Sequence, residues 1–167
     1  MPESKSGDEV ERVFKVRRIP ENLDQYPSEK IVQGYLTIER DGAEVRLRKI
    51  DECRVESYKG SGRLERREIE IELSRDQFDA LWPATEGRRI EKVRYKIDWR
   101  GHTIELNVYQ GKLEGLALAE IEFPSRGESE SFEPPDWLGE DVTEDKRYKN
   151  QNLARKGPPK GAVTRPR

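Results

Sequence analysis

Five pairs of charged residues, each spaced two apart, carry the chemical interest of this chain. Glu9 and Glu11 form one, and Glu120 and Glu122 another. Arg46 and Arg48, and Lys92 and Arg94, are basic counterparts. Arg66 leads a run that continues as Glu68 and Glu70. On a β-strand, residues two apart point to the same face. Each pair therefore concentrates like charge on one side of a strand, which is repulsive unless something of opposite sign lies between. Paired carboxylates bind hard cations through oxygen. Paired arginines and lysines bind phosphate oxygens, arginine in two-pronged fashion. One face carrying both suits a metal bound to a polyanion.

The elements that position these pairs follow from the same alternation. Eight stretches show the strand period or fit it: 9–16, 33–39, 43–50, 53–59, 66–73, 89–97, 102–109 and 117–123. Asp41-Gly42 is a strong hairpin signal, and Gly60-Ser61-Gly62, Arg100-Gly101 and Gln110-Gly111 mark further turns. Ser74 with Gln77 three residues on forms a capping box, with Phe78, Leu81 and Trp82 on one helical face and Pro83 as the stop. Thr143 is a candidate cap for a second short helix, with Tyr148 and Leu153 turned to the body. Residues 124–140 read as a loop anchored by Trp137-Leu138. The fold class expected is mainly β, an eight-stranded antiparallel closed barrel with a few short helices packed outside or at its end.

Composition narrows the function classes. The chain has 167 residues, 40% of them charged and 32% hydrophobic, so charge must be organised for a core to form. With 32 Lys+Arg against 34 Asp+Glu the net charge is −2, which argues against a duplex-DNA binder relying on bulk positive charge. No apolar run is long enough for a membrane span, and Met1 to Asp8 lacks the apolar stretch of a secretory signal, so a cytoplasmic location is expected. A single cysteine, Cys53, excludes an intramolecular disulfide and is expected to be partly buried. Three segments are expected: a flexible 1–8, one domain over 9–154, and a disordered basic tail over 155–167. A barrel with oil inside and salt outside would alternate equally well. The segregation of sign by strand weighs against that arrangement, since surfaces serving solubility alone mix signs.

Ordered blocks along the chain resemble the CYTH superfamily, the triphosphate tunnel metalloenzymes. Glu9-Val10-Glu11 is similar to its opening Glu-x-Glu, and Gln33-Gly34-Tyr35-Leu36 to its QGYL. Val45-Arg46-Leu47-Arg48, Ser57-Tyr58-Lys59-Gly60, Arg66-Arg67-Glu68-Ile69-Glu70, Glu91-Lys92-Val93-Arg94-Tyr95 and Leu118-Ala119-Glu120-Ile121-Glu122 resemble later blocks. Trp137 to Thr143 and Arg147-Tyr148-Lys149-Asn150 complete the series, which runs from Glu9 to about Ala154 and is most similar to the short bacterial members with one such domain.

The resemblance implies a barrel whose charged faces line a tunnel and whose apolar faces pack outward. It implies hydrolysis of the terminal phosphoryl group of tripolyphosphate or a small organic triphosphate, with Mg²⁺ or Mn²⁺. Glu9, Glu11, Glu120 and Glu122 would hold the metal. Glu11, Glu68 and Glu70 would serve catalysis. Arg46, Arg48, Lys59, Arg66, Lys92 and Arg94 would clamp phosphate, and Arg147 or Lys149 would reach the mouth. A homodimer fits the short members. Three positions depart from the pattern: Val13 stands where a lysine is usual, Asn107 for an aspartate and Asp141 for a glutamate. Val13 and Asn107 keep a non-catalytic triphosphate-binding protein as an alternative, with a class IV adenylyl cyclase behind it. His102, Trp82, Trp99 and Trp137 are expected to pack rather than react.

Overall fold

The computed structural model describes residues 9–60 and 68–162. Its frame is one antiparallel sheet of nine strands: β1 (Val10–Val16), β2 (Ser28–Ile38), β3 (Glu44–Ile50), β4 (Cys53–Lys59), β5 (Glu68–Glu72), β6 (Arg89–Trp99), β7 (His102–Gln110), β8 (Ala117–Phe123) and β9 (Leu138–Asp141). Three short helices accompany it: α1 (Arg75–Leu81), α2 (Arg126–Glu130) and α3 (Asn150–Lys156). The strand order is β5-β4-β3-β2-β6-β7-β8-β1-β9.

All eight expected strands are present, and β9 is a ninth inside the stretch read as a loop. It is four residues long and pairs with β1 at two register positions, too little for the alternation to reveal. The same stretch holds α2, capped by Ser125, whose hydroxyl accepts from the Glu128 amide. The expected closed barrel is corrected to an open sheet: among the described residues β5 and β9 are the edges and do not pair with each other. Closure depends on tilt and stagger, which alternation does not encode.

Local chemistry accounts for most joints. Arg100 and Gly101 both have positive φ (47° and 82°), the backbone of a two-residue hairpin between β6 and β7. The turn between β3 and β4 lacks a glycine. There Asp51 takes the left-handed conformation (φ 50°), which a short polar side chain tolerates. The capping box at α1 is reciprocal: the Gln77 amide donates to Ser74 Oγ (3.1 Å) and the Ser74 amide to Gln77 Oε1 (2.8 Å). Thr143 does not cap a helix. Its hydroxyl accepts from the Val13 amide at 3.0 Å, and Lys149 stands at the start of α3. Tyr148 and Leu153 are buried as expected. Helix α3 continues through Lys156, beyond the expected boundary at 154, and Ala162 is buried. Cys53 is exposed, not partly buried, at the start of β4.

Cross-strand register sorts the two faces. One carries Val10, Phe14, Ile97, Ile104, Leu106, Ala119, Ile121 and Phe123, and packs beneath Phe132, Trp137 and Leu138 as the larger apolar cluster. The other face carries the charged pairs, aligned as Glu11↔Glu122, Arg48↔Gln33, Arg46↔Tyr35, Lys59↔Glu68 and Arg94↔Asn107. At one end it turns apolar, where Val13, Tyr35, Ile90, Tyr109 and Leu118 pack with Tyr148, Leu153 and Ala162 as a second cluster. The antiparallel strand directions make this one end of the sheet: Tyr35 and Tyr109 are late in their strands and Ile90 and Leu118 early in theirs.

Gly34 lets the segment 82–85 seat against β2. A Cβ there would lie 2.6 Å from Thr85 Cβ and 2.8 Å from the Trp82 ring. Gly34→Ala is expected to lower stability by about 1–3 kcal/mol, the cost of overpacking a filled site. Urea denaturation at unchanged m-value is the check.

Candidate active site

Residues from strands far apart in the sheet meet at one cavity. It has a volume of about 230 Å³ and is lined by Glu11 and Val13 from β1, Tyr35 from β2, Glu44 and Arg46 from β3, Lys59 from β4 and Glu120 from β8. In strand order β4 and β1 each stand next to an edge, with five strands between them. Only a rolled sheet brings them together, so the charged face is concave, a trough. The turn after β9 and the start of α3 complete the lining through Val142, Thr143, Asp145, Tyr148, Lys149, Asn150 and Gln151.

The basic wall is buried. Arg46 is 5% exposed, and its Nε makes no hydrogen bond. Its terminal nitrogens lie 3.8 Å from Glu44 and 3.9 Å from Glu68, close enough for attraction but too long to occupy its donors. Arg48 donates from Nε to Gln33 Oε1 at 2.8 Å, and Gln33 in turn donates to Tyr35 Oη at 2.6 Å. Burial lowers the Arg48 pKa to about 10, helped by Arg46 and Arg94 nearby. Burial, with Glu44 adding to it, pushes the Tyr35 phenol up to about 12. Lys59 is lowered by burial first and then by Arg46.

Lys92 is the most extreme member. It is fully buried and its Nζ has no hydrogen-bond partner. Burial lowers its pKa to about 7, against which the Glu120 charge acts. A buried donor without a hydrogen-bond partner is costly. Arg94 sits beside it, donating to Asn107 Oδ1 at 3.1 Å and pairing with Glu105 at 3.0 Å and Glu120 at 3.8 Å. Asn107 is thus an orienting group for Arg94, and its buried Nδ2 is without a partner.

The acidic wall comes from β1, β7 and β8. Glu11 and Glu120 line the cavity, and Glu122 lies across the ladder from Glu11 on the same face. Glu9 is exposed just before β1 and does not line the cavity. Among the described residues no three acidic, histidine or cysteine side chains form a ready-made cage for a metal. The donor set still fits a hard cation. Mg²⁺ takes one or two carboxylates and fills its shell with waters and substrate phosphate oxygens, and Glu11 with Glu120 supplies that number beside the basic wall.

The remaining expected residues divide. Glu68 and Glu70 are exposed on the edge strand β5, Glu68 4.0 Å from Lys59 and Glu70 accepting from the Ser57 hydroxyl at 3.5 Å. They stand at the rim and do not line the cavity. Arg66 lies outside the described residues. Lys149 lines the cavity, whereas Arg147 is held outside by Asp145 at 2.7 Å. Val13 packs in the apolar end cluster, and Lys15, two residues on, pairs with Glu140 at 3.9 Å. His102 packs edge-on against Phe123 and Phe132. Trp82 stacks on Phe78, and Trp99 donates to the Glu133 carbonyl. The sequence reading missed Tyr35, Glu44 and Gln151 as cavity residues. Glu44 was within reach, since it shares strand parity with Arg46 and Arg48.

A concave antiparallel sheet with buried cations on one wall and carboxylates on the other defines a polyanion-binding β protein with a place for a hard cation. No family model matches the chain. It is 47% identical over 148 residues to the inorganic triphosphatase of Nitrosomonas europaea, covering 87% of this chain and 96% of that protein. It is 37% identical over 125 residues to the inorganic triphosphatase of Acetivibrio thermocellus, covering 74% of this chain and 78% of that protein. The crystal structure of the inorganic triphosphatase NE1496 superposes with a TM-score of 0.77 at 41% identity, covering 93% of this chain and all of that one. The chain belongs to the CYTH superfamily of triphosphate tunnel metalloenzymes.

Proposed function

We propose that this protein is a metal-dependent inorganic triphosphatase that removes the terminal phosphoryl group of tripolyphosphate within the trough. The observation that carries the reading is Lys92, a fully buried cation without a hydrogen-bond partner, flanked by Arg46, Arg48 and Arg94 and facing Glu120. The two inorganic triphosphatase relatives support it.

Arg46, Arg48, Lys59, Lys92 and Arg94 hold the phosphate chain, with Arg66 as a further clamp. Gln33 and Asn107 fix the guanidiniums of Arg48 and Arg94, so their orientation does not have to be acquired on binding. Glu11 and Glu120, extended by Glu9 and Glu122, hold Mg²⁺ or Mn²⁺. The bound ion would polarise phosphoryl oxygens and neutralise developing charge. Glu11 assists at the reacting end, with Glu68 and Glu70 at the rim orienting the attacking water. Charge stabilisation in a dry site supplies most of the acceleration. On binding, the edges β5 and β9 would approach and complete a tunnel. The substrate is small and dissolved, and the protein works as a monomer or a homodimer without duplex DNA or membrane. No described helix is long and apolar enough to cross a membrane.

The test is orthophosphate release from tripolyphosphate by metal-stripped protein given back Mg²⁺ or Mn²⁺. Release that requires the metal supports the proposal. Tight binding of tripolyphosphate without turnover would make the protein a binding module instead.

A further inference from the structure

The cavity ends at a wall that contains a carboxylate where the chemistry calls for cations. Glu44 is 7% exposed and faces the cavity from the basic strand β3, directly across the ladder from Lys59. Gln151 of α3 donates to its Oε1 at 3.3 Å and to the Gly42 carbonyl at 3.3 Å. Its Oε2 accepts no hydrogen bond and lies 3.8 Å from Arg46. Helix α3 is fixed at its start as well, where Tyr109 Oη donates to Asn150 Oδ1 at 2.8 Å. Behind that hydrogen-bonded front, Tyr148, Leu153 and Ala154 fill the end of the trough with apolar packing.

A phosphate chain lying along Arg46 and Lys59, which line the cavity, therefore runs towards a negative charge backed by a packed helix. We infer that Glu44, held by Gln151, sets the length of the phosphate chain, admitting a triphosphate and rejecting a tetraphosphate. A phosphoryl group beyond those held by Arg46 and Lys59 meets the buried Glu44 carboxylate. Like charges at such range in a buried setting repel strongly. It also has to break the Gln151 contact and displace α3. Glu44 and Gln151 are both buried and hydrogen-bonded to each other. This inference rests on the triphosphatase reading and deepens it, by assigning chain-length selection to two residues that do not clamp phosphate.

The experiment compares linear tripolyphosphate with linear tetrapolyphosphate under one metal, for the unaltered protein, Glu44→Gln and Gln151→Ala. Glu44→Gln keeps the side chain's shape and removes its charge. Gln151→Ala keeps the charge and frees it from α3. The unaltered protein is expected to favour the shorter chain in kcat/KM by at least about tenfold, and each variant to lose about tenfold of that preference. Equal use of both chains by the unaltered protein overturns the inference. So does a loss of activity in both variants that falls equally on the two chains. Calorimetric affinities for the two chains make the same comparison without turnover. Absence of tripolyphosphate hydrolysis would thus remove the activity, whereas an unchanged affinity ratio across the three proteins would remove chain-length selection.

Discussion

Glu120→Gln and Glu11→Gln are each expected to lower the rate of tripolyphosphate hydrolysis by about a thousandfold, the scale of several kcal/mol of metal-derived charge stabilisation. Both residues line the cavity, and they are the two carboxylates placed to give a cation its protein ligands beside the basic wall. The glutamine keeps the shape and abolishes the anionic donor. The loss should fall mainly on kcat, because the phosphate clamps on β3, β4 and β6 remain. Raising the Mn²⁺ concentration should restore part of the rate, which a merely structural defect would not allow. Glu120→Gln has a further consequence. Glu120 is the main opposing charge for the buried Lys92, so its removal should weaken tripolyphosphate binding less than it weakens metal binding. Activity that survives both substitutions intact would remove the acidic wall from the mechanism.

Lys92→Met is expected to act in opposite directions on function and stability. Losing a buried cation that meets phosphate should reduce kcat/KM by about a hundredfold or more, the scale of a strong charge-assisted contact in a dry site. The same change removes a buried ammonium with no hydrogen-bond partner. Replacing such a charge by an apolar side chain of similar length should raise the stability of the ligand-free protein by about 1–3 kcal/mol. The pH dependence gives an independent reading. The Lys92 pKa is lowered from 10.5 to about 7 by folding. Between those values the unfolded chain holds a proton that the folded chain has released. Stability therefore rises with pH across this window in the unaltered protein, and the penalty is fully present below pH 7. Lys92→Met should flatten that rise. Chemical denaturation at pH 7 and pH 9.5 measures both effects, and an equal slope in the two proteins would contradict them.

Much of this arrangement could be read from the chain because one rule governs it. Alternation places Arg46 with Arg48 and Lys92 with Arg94 on a face, and the fold keeps those faces together. The apolar partners Phe14, Ile104, Ile121 and Phe123 pack on the opposite side, as the family resemblance implied. What alternation could not supply was distance. It did not distinguish Glu11 and Glu120, which line the cavity, from Glu68 and Glu70, which stand on an exposed edge strand. Sheet curvature decides that difference, and it arises from cumulative twist and stagger over many strands. Parity with Arg46 and Arg48 gave the face of Glu44, but not its burial. Gln151, more than a hundred residues away, donates to its carboxylate at 3.3 Å, a contact that no local spacing reveals. Val13 is intelligible for the same reason: it belongs to the apolar end cluster that holds α3, a long-range contact that no local spacing reveals.

The most direct test follows tripolyphosphate by phosphorus NMR in the presence of the protein and Mg²⁺ or Mn²⁺. The triphosphate signals should give way to equal amounts of orthophosphate and pyrophosphate, and should persist when the metal is chelated. Triphosphate signals unchanged with metal present, at a protein concentration that binds it, would contradict the account.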